Sequence, residues 1–313
     1  MPFKLIVDVF SGRPNPEIEL DSAAASKLLK RLPLASLKKA DERTTNPFPS
    51  VLGYRGLILK QTGRINKNLP MRIHYAHDTI YVNDKAAKAE GGLESFVFDN
   101  FRSLKGIKDI PDFRKDFERM MKQYFDKREL YIDNYRKWIP EILDDYHFPV
   151  RPVCPCAPAA DLAAWNTDPG ITSSNNCYNY GTNYRSDTYG QPGQAAGQKW
   201  NDLSACNVPA NNISAKMGAI ADGLVDKPNQ DNKCITPGHV VALVNKPNSD
   251  YHWYRKGSNG KWSHKMGGTP ATILDNSGNP ITDPRTCDRG AYVNFCTFMQ
   301  VRHGHFKVEG LFD

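Results

Sequence analysis

Several features are scarce in this 313-residue chain, and each scarcity excludes a class of protein. No apolar run approaches the roughly 18 to 20 residues that a membrane-spanning helix requires, so we expect no membrane span. Residues 1–8 contain only a short apolar stretch, which Asp8 interrupts, so they lack the apolar core of a secretory signal peptide. We therefore expect a protein that is cytoplasmic, or that is exported without an N-terminal signal peptide.

Blocks of like charge are also missing from the chain. Its 41 basic and 34 acidic residues leave a net charge of +7, without a concentrated cluster of either sign. Nucleic-acid binding usually requires a basic patch or stripe, so we expect no nucleic-acid partner. The hydrophobic share of 40% and the charged share of 24% are those of a globular protein.

Cysteine is absent from the first 150 residues, and the seven cysteines stand at positions 154, 156, 177, 206, 234, 287 and 296. An odd number leaves at least one thiol free even if the others pair. The spacing of Cys154 and Cys156 is one residue short of the gap that structural zinc sites favour, and no matching second pair follows. We therefore expect neither a metal nor a cofactor. Disulfides among positions 206, 234, 287 and 296 fit the sequence, which does not select a pairing.

The first half of the chain is typical of a small α/β domain, which we assign to residues 1–148. Alternating apolar residues and β-branched residues indicate strands, and a stripe of apolar residues at steps of three and four indicates a long helix. The predicted strands are 3–10, 56–59, 71–75 and 78–82, and the predicted helices are 21–32 and 111–138.

Four prolines between positions 148 and 158 predict an extended linker, because proline interrupts helices. We assign a second domain to residues 159–313, with strands at 239–244 and 250–255. Asn, Gly, Tyr, Ser and Thr are abundant here, which indicates many loops. The fold class that follows is α+β, with a small α/β domain and then a domain of helices and an antiparallel sheet.

Cys177 is the strongest candidate for chemistry, because a Ser/Asn cluster at 173–176 predicts that a helix begins there. The positive end of a helix dipole lowers the pKa of a thiol below its ordinary value of about 8.5, which favours a nucleophilic thiolate. Free backbone N–H groups, or the amides of Asn175 and Asn176, are candidates for binding an oxyanion. The alternative is a buried structural cysteine between two tyrosines.

His239 opens an apolar strand and is the candidate base for this cysteine, because a thiolate nucleophile requires a nearby imidazole. A third group must orient that imidazole. His252, on the neighbouring strand, is the first candidate for this role, followed by Asp250 and then Asn245. The alternative for His252 is a packed histidine among aromatic residues.

Two other cysteines are weaker candidates. Cys234 precedes His239 by five residues, but Pro237 and Gly238 argue against a helix that would lower its pKa. Cys296 lies in an apolar strand and is interpreted as an inert buried thiol.

The order of these residues resembles the papain-like cysteine peptidase superfamily, over roughly residues 171–298. A cysteine that begins a helix precedes a histidine that opens a strand, and a loop rich in Trp and Gly follows at 260–267. The glutamine that precedes the cysteine in papain is missing, as is an Asn-Ser-Trp motif after the histidine. The position of His252 resembles the Cys–His–His arrangement of bacterial NlpC-type cell-wall peptidases.

The resemblance implies a cysteine-dependent hydrolase that cleaves an amide bond through an acyl-enzyme. Its expected substrate is a peptide, an isopeptide or a peptidoglycan stem, presented by a peptide, a protein or a cell wall. One alternative is a non-catalytic carbohydrate- or cell-wall-binding protein, since the aromatic and Asn-rich C-terminal half suits stacking on sugars. Another is a toxin-like effector that acts as a transferase or deamidase. The oligomeric state is left open.

Overall fold

The computed structural model describes residues 3–40, 51–76, 78–144 and 153–310. Helices and antiparallel sheets give it an α+β fold, which confirms the predicted fold class. The chain divides into two compact units. The first comprises Met1–Val9, Asn15–Pro49 and Gly53–Phe125, and the second comprises Phe10–Pro14, Ser50–Leu52 and Asp126–Asp313.

This division differs from the predicted domains, 1–148 and 159–313. The change of unit falls at Asp126 rather than in the proline-rich segment, and two short N-terminal segments group with the second unit. Residues 145–152, which include the start of the predicted linker, lie outside the described residues.

The first unit contains an antiparallel sheet of seven strands in the order β2-β1-β4-β5-β6-β7-β3. Its strands are β1 (Phe3–Asp8), β2 (Glu17–Leu20), β3 (Lys38–Lys39), β4 (Gly56–Gln61), β5 (Arg72–Ala76), β6 (Thr79–Val82) and β7 (Lys85–Lys88). The helices α1 (Ser22–Leu29) and α2 (Leu93–Asp99) belong to the same unit. Strands are therefore confirmed near all four predicted positions. In β1 the alternating residues Phe3, Leu5 and Val7 bury one face of the strand.

The long predicted helix is α3 (Phe113–Asp144), which continues six residues beyond its predicted end. In the first unit its apolar stripe packs on Tyr54, whose ring centroid lies 5.3 Å from that of Phe117 and 5.6 Å from that of Tyr124. In the second unit Lys127 of this helix pairs with Asp288 at 2.7 Å. The helix thus supplies residues to both units.

The second unit contains an antiparallel sheet of six strands in the order β12-β11-β10-β9-β13-β8. Its strands are β8 (Val225–Lys227), β9 (His239–Lys246), β10 (Asp250–Lys256), β11 (Trp262–Lys265), β12 (Ala271–Thr272) and β13 (Asn294–Val301). Its other helices are α4 (Leu162–Asn166), α5 (Pro169–Ser174), α6 (Cys177–Thr182) and α7 (Ala215–Ala221). The strands predicted at 239–244 and 250–255 are confirmed as β9 and β10.

Strand β9 is buried along its whole length, and its two faces contribute to different hydrophobic clusters. Val241 and Leu243 pack in one cluster, which also contains Cys177. Val240, Ala242 and Val244 pack in the other. Because successive side chains of a strand point to opposite faces, this continuous apolar run fits a strand that is covered on both sides.

Candidate functional site

Cys177 is the first residue of α6, as the Ser/Asn cluster predicts. The side chain of Asn176 caps the helix by accepting hydrogen bonds from the backbone N–H groups of Tyr178, at 3.0 Å, and Asn179, at 3.2 Å. The Asn179 side chain in turn accepts a hydrogen bond from the Asn176 N–H group at 3.2 Å. This reciprocal capping box is a local effect, so residues close in the sequence are enough to begin the helix at the cysteine.

His239 opens β9, but its ring bonds groups other than the Cys177 thiol. Its Nε2 lies 2.8 Å from the carbonyl oxygen of Gly181, and its Nδ1 lies 3.0 Å from Nε2 of His303. The Gly181 carbonyl can only accept, so Nε2 carries the proton and Nδ1 accepts from His303. Burial lowers the pKa of His239 to about 3, so the ring is neutral. Both ring nitrogens of His239 thus bond groups other than the Cys177 thiol, and these hydrogen bonds do not make the predicted catalytic pair.

His252 belongs to a different chain of hydrogen bonds. Its Nδ1 bonds the Ser11 hydroxyl, and its Nε2 lies 2.8 Å from Nδ1 of His264. Nε2 of His264 lies 2.8 Å from the carbonyl oxygen of Leu274. Because that carbonyl accepts, each imidazole donates from Nε2, and the Ser11 hydroxyl donates to His252. Both nitrogens of His252 therefore bond partners other than His239, the base that it was predicted to orient.

Asp250 anchors the N-terminal segment 10–14, which belongs to the same compact unit. Its carboxylate accepts hydrogen bonds from the backbone N–H groups of Ser11 at 2.5 Å, Gly12 at 3.2 Å and Arg13 at 3.1 Å. The Tyr292 hydroxyl donates a further bond at 2.5 Å. Burial raises the pKa of Asp250, and the hydrogen bonds from Tyr292, Ser11 and Arg13 oppose that rise. Asp250, a candidate for orienting the imidazole of His239, thus binds the segment 10–14.

The pKa of the Cys177 thiol is raised, whereas the sequence predicted that it would be lowered. Burial, followed by the negative charge of Asp250, raises the pKa of this thiol to about 12, although a hydrogen bond with Ser11 opposes the rise. A helix dipole contributes about 0.3–1 kcal/mol, whereas the burial of a charge costs several kcal/mol. Burial therefore exceeds the dipole, and the thiol stays protonated.

The predicted oxyanion amides already bond other groups. Asn176 Nδ2 donates to two backbone carbonyl oxygens, each at 2.7 Å. Asn175 Nδ2 donates to a backbone carbonyl at 2.9 Å and to the carboxylate of Asp187 at 2.7 Å. The amide of Asn245, the last orienting candidate, donates to the carbonyl of Leu203 at 3.0 Å. All three amides hold the chain together in this structure.

No more than 1% of the surface of each catalytic or oxyanion candidate is exposed: Cys177, His239, His252, Asp250, Asn175 and Asn176. A nucleophile must approach its carbonyl to about 3 Å, so the described conformation does not admit a substrate to this thiol. The arrangement of these six buried residues is suited to holding the segment 10–14, the α6 helix and the β9–β11 strands together.

Two important residues of this network, Ser11 and Tyr292, are not among the candidates that the sequence indicates. Ser11 is separated from Asp250 by 239 positions, and Tyr292 is separated from it by 42. The only local signal was the polar run Ser11-Gly12-Arg13, which is equally typical of an ordinary turn.

Four cysteines form two disulfides, Cys154–Cys234 and Cys206–Cys296. Cys234 is therefore not the spare nucleophile that the sequence suggested. Cys296 lies in strand β13 as predicted, but it is not a free thiol. The free cysteines are Cys156, Cys177 and Cys287.

Within the described ranges, no group of three or more His, Cys, Asp or Glu side chains is arranged to hold a metal ion. Across those same residues, every helix is too short or too polar to cross a membrane.

No family model and no solved structure matches this chain. Insoluble matrix shell protein 1 from Ruditapes philippinarum is 44% identical to it over 139 residues, which are 44% of this chain and 85% of the relative. The chain therefore belongs to the family of insoluble matrix shell protein 1.

This relationship corrects the function inferred from the sequence. The relative is a shell matrix protein by name and not a peptidase, so the predicted cysteine hydrolase, with its peptidase and amidase descriptions, is wrong. The resemblance to the papain-like superfamily stays a prediction.

Proposed function

We propose that this chain is a non-catalytic structural protein of an insoluble extracellular shell matrix. The observation that carries the proposal is its 44% identity to insoluble matrix shell protein 1 across 85% of that protein. The relative's name describes a shell matrix component, and identity over most of its length supports the same role here.

The buried polar groups of the second unit support a structural role. Lys265 donates to the backbone carbonyls of Thr172, Asn175 and Gly267, each at 2.6 Å. Arg255 donates to the carbonyls of Tyr180 at 2.9 Å and Ala160 at 2.8 Å, among others. A buried cation is tolerated only when hydrogen bonds replace its hydration, so both side chains fix the α4–α6 region to the sheet.

The two disulfides support a place outside the cell. Disulfides persist in oxidising compartments and are rare in the cytosol. They join cysteines that are 80 and 90 positions apart, and closing loops of that length contributes about 4–5 kcal/mol each in the chain-entropy model. Of the two localisations expected from the sequence, this favours export.

The proposal is tested on the shell of the animal that encodes the chain. The shell is dissolved in weak acid, and an antibody to the second unit is used on the acid-soluble fraction, the acid-insoluble fraction and the soft tissue. We expect the signal in the acid-insoluble fraction, with an abundant cytosolic enzyme as the control for contamination. Detection in soft tissue alone, or an encoding organism without a shell, would refute the proposal.

A further inference from the structure

One asparagine of the second unit stands in the sequence motif that accepts sugar. The motif is Asn-x-Ser/Thr, in which x is any residue except proline, and it marks the acceptor of N-linked glycosylation in secreted proteins. This chain contains the motif once, as Asn212-Ile213-Ser214. Because so short a motif also occurs by chance, the position of Asn212 in the fold decides its meaning.

Asn212 lies in the connection between Leu203 and helix α7, which contains neither helix nor strand. The ends of this connection are held together, because the Asn201 N–H group donates to the Ile213 carbonyl at 2.9 Å. Asn212 itself is half-buried, and several residues before it are exposed: Ser204, Asn207, Pro209, Ala210 and Asn211. The motif thus stands in a surface loop, which is where an N-linked glycan is accommodated.

The Asn212 side chain has room for a sugar in its hydrogen bonding. Its Nδ2 donates to Oδ2 of Asp202 at 2.7 Å. An amide nitrogen carries two protons, and this bond uses one of them. A glycan replaces the other proton, so the modified side chain can keep its bond with Asp202.

Ser214 determines when the sugar is added. Its hydroxyl caps α7 by accepting from the Met217 N–H group at 3.3 Å, and only 1% of its surface is exposed. The motif requires this hydroxyl residue, so the transferase has to reach it. Because the folded unit hides Ser214, the sugar is added before this region folds.

The disulfides indicate a compartment in which this reaction takes place. Cys206 lies in the same connection as Asn212 and is bonded to Cys296. Disulfides form in the lumen of the endoplasmic reticulum, where N-linked glycans are also added to unfolded chains. A chain that acquires these disulfides there presents Asn212 to the transferase.

We propose that Asn212 carries an N-linked glycan, which is transferred in the endoplasmic reticulum from a lipid-linked oligosaccharide. This inference rests on the proposed function, because only an exported chain meets the transferase. It also makes that function more specific, since it assigns export through the secretory compartment, which residues 1–8 do not indicate by themselves.

The transfer is balanced and involves no oxidation. Nδ2 of Asn212 forms a bond with the anomeric carbon of the first sugar and loses one proton. The bond between that carbon and a phosphate oxygen of the donor breaks. The lipid diphosphate leaves with the bonding electron pair.

The first measurement uses the native protein from the acid-insoluble shell fraction. After reduction and alkylation, trypsin releases residues 200–216 as one peptide, because Lys199 and Lys216 enclose a stretch without Lys or Arg. A peptide-N-glycosidase that tolerates core fucose is then applied in water that contains heavy oxygen. It converts a glycosylated asparagine into an aspartate with one heavy oxygen, which fragmentation of the peptide locates. We expect the heavy oxygen at Asn212 and none at Asn211, its exposed neighbour outside the motif.

The second measurement uses the full chain, directed into the secretory pathway of cultured animal cells by a cleavable signal peptide. The wild type should migrate more slowly on a gel than the same protein after glycosidase treatment. Asn212→Gln should lose this shift, and Asn211→Gln, the matched control, should keep it. Ser214→Thr retains the motif and the capping hydroxyl and should keep the shift, whereas Ser214→Ala should lose it.

The shift is scored in cell extracts as well as in the medium. Because the sugar is added before folding, a variant that misfolds and is retained still reports whether its motif is used. An unmodified Asn212 in the native peptide, heavy oxygen at another asparagine, or a shift that survives Asn212→Gln would overturn the proposal. Absence of the chain from the shell would refute the proposed function instead, and the secreted chain would still decide whether Asn212 accepts a glycan.

Discussion

Acid should destabilise this protein through its buried neutral histidines, and His264 provides the clearest test. Burial lowers the pKa of His264 from 6.5 to about 4. The unfolded chain therefore binds a proton between these two pH values that the folded chain does not bind. Stability is fully present above about pH 6.5 and is lost as the pH falls towards 4.

The size of the effect follows from the shift in pKa. Each pKa unit corresponds to about 1.4 kcal/mol, so lowering the pH from about 7 to about 4.5 removes about 2 kcal/mol through this one residue. His239, whose pKa burial lowers to about 3, acts in the same direction. A comparison of two proteins that differ only at position 264 removes this shared contribution.

His264→Gln is the matched perturbation, because an amide can both accept from His252 and donate to the Leu274 carbonyl. The free energy of unfolding in urea is measured at about pH 7 and about pH 4.5 for both proteins. The wild type should lose about 2 kcal/mol more than the variant on acidification. His305→Gln, at an exposed position, serves as the control and should follow the wild type. Parallel losses in the wild type and His264→Gln would refute the assignment of a buried neutral imidazole.

Three further predictions concern the core. Iodoacetamide should leave Cys177 unmodified in the folded protein, because burial raises the pKa of its thiol to about 12. Peptide mapping after labelling with and without denaturant checks this, and rapid labelling of Cys177 in the folded protein would contradict it. Gly12→Ala should cost about 2 kcal/mol, because its Cβ would lie 2.3 Å from a buried tyrosine ring, whereas the nearest atom to a Cβ at Gly268 is 3.5 Å away. Equal melting temperatures of the two alanine variants would argue against this packing. Replacing Cys206 and Cys296 with serine should lower the free energy of unfolding in urea by about 4 kcal/mol, and a loss below about 1 kcal/mol would count against the disulfide.

Much of the secondary structure could be predicted from the sequence, because it depends on residues a few positions apart. The Ser/Asn cluster before Cys177 predicted the start of α6, and the structure shows the capping box that explains it. The apolar run after His239 predicted β9, and the stripe of aromatic residues predicted most of α3. Caps, helical stripes and strand alternation all act within a few residues.

The chemistry of Cys177 could not be predicted from residues a few positions away. A pKa depends on how deeply a group is buried and on the charges around it, and both come from distant parts of the chain. The helix dipole was visible in the sequence, whereas the burial that exceeds it was not. The same holds for His239, whose hydrogen-bond partners are Gly181 and His303.

The sequence alone determined the α+β class, the main elements of each half and the cysteine that begins α6. Only the tertiary structure decided that Ser11 bonds Asp250 across 239 positions, and that Cys154 and Cys206 find partners 80 and 90 positions away. No local pattern encodes such pairs, because many arrangements of the same elements satisfy the same periodicities. Packing selects among them through buried area and the hydrogen bonds that every buried polar group requires.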